Sequence, residues 1–134
     1  MAVQLSVAVR TARVTAIETT VGTTPLLRIY SGAQPANCAA AASGTLLAEM
    51  SLPSDWATEA SGVLTMAGTW QDASANAAGT AGHYRLYDSG GTTCHEQGSV
   101  TATGGGGDLT LDNVVIAALQ QVTVTSWTRT DANA

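Results

Sequence analysis

The sequence contains no phenylalanine and no lysine, and only 11% of its 134 residues are charged. Without Phe, the bulk of any core must come from three Trp, three Tyr and aliphatic side chains, in a chain that is nonetheless 45% hydrophobic. Without Lys, the five basic residues are all arginines, at positions 10, 13, 28, 85 and 129, set against ten acidic residues for a formal charge of −5. Nucleic-acid binding draws its affinity from a basic patch that displaces counterions from phosphates, and five scattered arginines do not build one. Long apolar runs are also missing. No stretch reaches the roughly 20 residues of a membrane span, and the N-terminus carries no signal-peptide apolar region, so no membrane partner is expected.

What remains points to a single β-rich domain. High hydrophobicity with low net charge excludes a disordered chain, and the length suffices for one core. Much of the hydrophobic content is Ala and Val, accompanied by abundant Thr, Ser and Gly. Small and β-branched side chains suit the thin interior of a β-sandwich. A chain with so few charges also suits a subunit that hides part of its outside in an assembly.

The N-terminal segment reads as a helix from about Val3 to Thr20, stopped by Gly22 at the C-cap position and by Pro25 just beyond. At helical spacing Val3, Val7, Val14, Ile17 and Val21 fall on one side, and Leu5, Val9, Ala12 and Ala16 on the other. A helix with two apolar sides needs two partners. A sandwich core buries one of them, so the other predicts a subunit contact and a homo-oligomer, with a trimer favoured. Residues 1–22 are therefore an assembly segment and 23–134 an antiparallel β-sandwich of jelly-roll or immunoglobulin-like connectivity.

Beyond Pro25 the pattern turns to strands, expected over 26–30, 45–52, 62–72, 82–100 as a hairpin, 108–111, 113–118 and 121–130. Residues 32–44 read as an exposed small-residue loop. The hairpin GHYRLYDSGGTTCHEQGSV, with a glycine turn at 89–91, is the centre of the chain, and LLRIYSGAQPANC repeats its order of Arg, apolar residue, Tyr, Gly and Cys. Alternation puts Arg28 with Tyr30, and Arg85 with Tyr87, on one face of their strands. These four are the expected exposed contact residues.

No catalytic signature emerges, so the chain is not expected to be an enzyme. His83 and His95 flank the hairpin with Asp88 and Glu96 near by, but their spacing matches no ligand motif, and neither metal nor cofactor is expected. Glu49, Asp55 and Glu59 are too scattered to nominate an acid and base pair. Gly104 to Gly107 lack the lysine of a phosphate-binding loop and read as a flexible hairpin loop. Trp56, Trp70 and Trp127 fit core or interface packing better than sugar-stacking platforms. Cys38 and Cys94 follow similar strands at similar distances, which leaves both a disulfide and two free thiols open.

Several stretches resemble a family of small virion proteins of tailed bacteriophages: RIYSGAQP, TLLAEM, AGTAGHYRLYDSGGTTCHEQG and the C-terminal VTVTSWT. Together with the alanine-rich N-terminal segment they extend the likeness over nearly the whole chain. The resemblance implies a capsid decoration (cement) subunit that binds the major capsid protein or other virion proteins. Related sandwiches sit at the tail or head-to-tail joint, and a carbohydrate-binding module is the remote alternative. It further implies localisation in the virion after assembly in the host bacterial cytoplasm, and it brings no catalytic residues.

Overall fold

The computed structural model describes residues 3–131. One helix, α1 (Val7–Val21), precedes ten strands: β1 (Leu26–Ser31), β2 (Leu46–Ser51), β3 (Ala57–Ala60), β4 (Val63–Met66), β5 (Gln71–Asp72), β6 (Gly79–Tyr87), β7 (Cys94–Ala102), β8 (Leu109–Leu111), β9 (Val115–Ile116) and β10 (Val122–Thr130). The fold is mainly β with an N-terminal helix, as the composition implies. No helix among the described residues is long and apolar enough to cross a membrane.

The helix starts later than its apolar pattern suggests because Ser6 caps it. The Ser6 hydroxyl accepts the Val9 N–H at 3.2 Å, satisfying one of the free donors of the first turn. Val3 thus lies before the helix. At the other end the Gly22 N–H reaches the Glu18 carbonyl, and Gly22 takes a positive φ of 88° that ends the helix where expected. One side of α1 packs on β3 and β4, burying Val14 and Val21 in the main core with Ile17 against it. Thr11 accepts the Gly62 N–H at 2.9 Å, and Trp56 donates to the Gly22 carbonyl at 2.9 Å, so polar contacts pin both ends of the helix to the sheet.

The strands form one sheet in the order β2-β1-β6-β7-β8-β10-β4-β3, with β5 on β10 and β9 on β6. The long strand β10 bends the sheet into a curl: its start pairs with β5, its middle with β8 and its end with β4. The curl brings β5 back beside β2, where Asp72 accepts the Glu49 N–H at 3.0 Å. Inside lie the three tryptophans. Trp56, Trp70 and Trp127 meet with ring centroids 5.5 to 6.0 Å apart, each at most 1% exposed, and supply the volume that Phe provides in other cores.

Two expectations about the sheet are corrected. It is mixed rather than purely antiparallel, because β7 and β8 run parallel, with Val100 opposite Leu109 and Ala102 opposite Leu111. Parallel neighbours ordinarily need a crossover of a dozen or more residues. Here residues 103–108 double back over Thr101, using positive φ at Gly104 and Gly106. A Cβ on Gly105 or Gly107 would meet Thr101 atoms at 2.8 Å. The glycine run is a tight return and not a hairpin loop. Second, the strand expected over 62–72 breaks at Gly68, φ 74°, into β4 and β5.

Candidate functional site

Two regions stand out: the outer side of α1, and the polar face of β1 and β6. On α1, Val7 and Val9 are 50% and 45% exposed, and Val3 ahead of the helix is 81% exposed. Ala12 and Ala16 lie at the surface with them. Of the apolar positions named on the helix, Val14 is buried within the chain and Ile17 half-buried, so neither is available to a partner in the way Val3 and Val7 are.

The second region overturns the expected exposure of the Arg and Tyr pairs. Tyr30 and Tyr87 are each 7% exposed and Arg85 is 1% exposed; only Arg28 keeps partial access. The cause is residues 32–44, which lie across this face with their outer side in solvent. Arg85 donates through Nη2 to the carbonyls of Cys38 at 2.7 Å and Ala40 at 2.9 Å. Gln97 donates to the Pro35 carbonyl at 2.7 Å. His83, itself 1% exposed, meets the Gly32 carbonyl through Nδ1 at 2.9 Å, which requires the proton on that nitrogen. Strand β6 is consequently buried on both faces, and its polar side chains serve as donors to the backbone of the covering segment.

Arg28 and Arg85 are cross-strand neighbours. Arg28 forms an ion pair with Glu49 at 2.6 Å and lies 4.6 Å from the Tyr87 ring centroid, whereas Arg85 pairs with no carboxylate among the described residues. Its Nε instead meets the Cys94 sulfur at 3.3 Å, and its Nη1 is buried without a partner. Cys38 and Cys94 are free thiols lining one cavity of about 360 Å³ with Arg28, Arg85 and Tyr87. Burial, and then the neighbouring Cys94, push the Cys38 thiol up to about 11.

The four residues weighed as metal ligands do not converge. His83 faces the covering segment, and Glu96 projects from the opposite side of the sheet into the core. Asp88 closes the hairpin turn by accepting the Thr92 and Thr93 N–H groups, which holds its carboxyl below the usual range. No group of three or more metal-binding side chains occurs among the described residues.

A half-buried polar cluster joins β7 to β10. Glu96 accepts from Trp127 Nε1 at 3.2 Å, from the Tyr84 hydroxyl and from Arg129, whose guanidinium also lies 4.9 Å from the Trp127 ring centroid. Burial pushes Glu96 up to about 7 and lowers Arg129 to about 10, and the ion pair between them opposes both shifts. The available signal was parity: Glu96 shares its face of β7 with Val100, so it points inward and needs a cation. A second acidic group sits beside the helix C-terminus, where burial and then Glu59 and Asp55 raise Glu18 to about 7.

Comparison of the chain with models of protein families, with curated proteins and with solved structures finds no match.

Proposed function

We propose that the chain is a structural subunit of a tailed-bacteriophage particle, a capsid decoration protein that reinforces the shell without catalysing a reaction. The observation that carries this reading is the apolar surface of the N-terminal segment. Val9 stands in solvent with Ala12 and Ala16 on the side of α1 away from the sheet, while Val7 is exposed in the first turn and Val3 ahead of the helix. Such an unpartnered apolar side gains from association at roughly 25 cal/mol per Å² of surface removed from water. The resemblance of RIYSGAQP, TLLAEM and the hairpin block to small virion proteins supplies the class of assembly. The partners are then a second copy of the chain, in a trimer, and the major capsid protein. The jelly-roll or immunoglobulin-like sandwich is the form in which we read the curled sheet.

Tryptophan platforms for sugars receive no support, because all three indoles are inside. The test has two parts. Sedimentation velocity on the full chain should give a trimer, and Val7→Asp with Val9→Asp should give a monomer with the wild-type circular dichroism spectrum; a wild-type monomer overturns the helix contact. Quantitative mass spectrometry of purified particles should then find copies on the order of hundreds. A dozen would move the subunit to the tail or head-to-tail joint, and absence from the particle overturns the virion reading.

A further inference from the structure

We propose that Cys38 and Cys94 are a reversible redox pair whose disulfide fastens residues 32–44 to the sheet, with Arg85 as the positioning group. The inference stands apart from the assembly reading. The covering segment is held by hydrogen bonds from Arg85, Gln97 and His83 to its carbonyls, with no strand ladder inside it. Cys38 lies in that segment and Cys94 begins β7, opposite Tyr87. Both thiols line one cavity, and Cys94 lies near enough to raise the Cys38 thiol. A single guanidinium joins them: Arg85 Nη2 holds the Cys38 carbonyl at 2.7 Å, and its Nε meets the Cys94 sulfur at 3.3 Å.

The charge distribution assigns the roles. Arg85 is a buried cation with no carboxylate partner among the described residues, and a buried charge calls for a counter-charge. The sulfur that its Nε meets, at 3.3 Å, is that of Cys94, so the guanidinium faces the thiolate that forms there when the proton leaves, and Cys94 attacks first. Cys38, whose thiol is pushed up to about 11, attacks second. With a small disulfide such as oxidised glutathione as oxidant, the Cys94 thiol loses its proton to water, attacks one glutathione sulfur and expels the other half as a thiolate, leaving a mixed disulfide. Cys38 then loses its proton to water, attacks the Cys94 sulfur and expels the second glutathione thiolate. Two protein thiols are oxidised to one disulfide, and one glutathione disulfide is reduced to two thiols, which take up the two protons.

The full chain, equilibrated with oxidised glutathione, acid-quenched, alkylated and analysed by intact and peptide mass spectrometry, tests this. The expected product has lost two hydrogens, resists alkylation and yields a peptide linking Cys38 to Cys94. Its melting temperature rises by about 10 °C, as closure of a long loop implies. Amide exchange across 32–44 slows in the oxidised form. Two alkylated cysteines, a stable glutathione adduct on the wild type, or only intermolecular bonds would each overturn the pair. Cys38→Ser should accumulate the adduct on Cys94, and no adduct there overturns the order of attack. In that background Arg85→Met should slow adduct formation about tenfold near pH 7 but not above pH 10, with Arg85→Lys restoring the rate. A slowing that is the same at both pH values overturns the role of Arg85.

Discussion

Arg28 and Arg85 stand directly opposite each other on β1 and β6, two cations in cross-strand register whose guanidinium groups lie 4.6 and 5.6 Å from the centroid of one ring, that of Tyr87. Like charges in that position repel, and each is settled differently. Arg28 turns to Glu49, while Arg85 turns under residues 32–44 and gives its protons to backbone carbonyls. A charged donor to a neutral carbonyl contributes more than an ordinary hydrogen bond.

Arg85→Met should therefore lower stability by about 2–3 kcal/mol in urea titration, since the carbonyls of Cys38 and Ala40 lose their charged donor. Amide exchange should accelerate across 38–42 ahead of the rest of the chain. Unchanged exchange there would mean that the segment is held by something other than Arg85.

Replacing Glu96 by Met, or Arg129 by Met, should each cost about 2 kcal/mol, because it leaves the half-buried partner without its counter-charge. Glu96→Met combined with Arg129→Met should recover most of that loss, since both desolvated charges leave together. A double-mutant cycle in chemical denaturation measures the difference, and additive losses would show that the two groups are not coupled.

Stability should depend on pH through Glu18. Its folded-state value of about 7 lies above the ordinary carboxyl value of 4.5, so the folded chain holds this proton more tightly than the unfolded one. The stabilisation is complete below the unfolded value, falls as pH rises through the window from 4.5 to 7, and is gone above it. Melting curves of Glu18→Gln should be flatter than wild type across that window and superior to it at pH 8. A parallel pair of curves would discount Glu18.

Trp70→Ala should cost about 3–5 kcal/mol, because the indole fills the centre of the curl against Trp56 and Trp127 and leaves a cavity that rigid neighbours do not close. Calorimetric melting gives the magnitude; a loss below 1 kcal/mol would mean that the core relaxes around the gap.

Gly82→Ala should destabilise by about 2 kcal/mol for a different reason. A Cβ at that position would stand 2.1 Å from the Gly32 carbonyl oxygen, the acceptor of His83, so the covering segment has to lift. The histidine ring resonances in NMR should shift with it, and unaltered resonances would count against the contact.

The helix, its stop at Gly22, strand β1 and the β6–β7 hairpin were legible because each rests on signals within a few residues: a cap, an alternation, a glycine turn. The helix start was misplaced because the apolar spacing runs on from Val3, whereas the cap is at Ser6. The polar faces of β1 and β6 misled for one reason. Alternation separates two faces of a strand, and polarity on one of them normally means water. Arg85, His83 and Gln97 are polar because they bond a peptide segment, which alternation does not distinguish from solvent.

By itself the sequence determined the local elements, the all-arginine and acid-rich charge, and a core that must rest on tryptophan and small aliphatic residues. Those follow from propensity and composition, which act over short distances. Only the tertiary structure decided that residues 32–44 cover Arg85, that β8 returns parallel to β7, that Glu96 meets Arg129, and that Cys38 lies beside Cys94. Each joins strands or segments through the path of the folded chain, and buried polar groups accept only the partners that this path delivers.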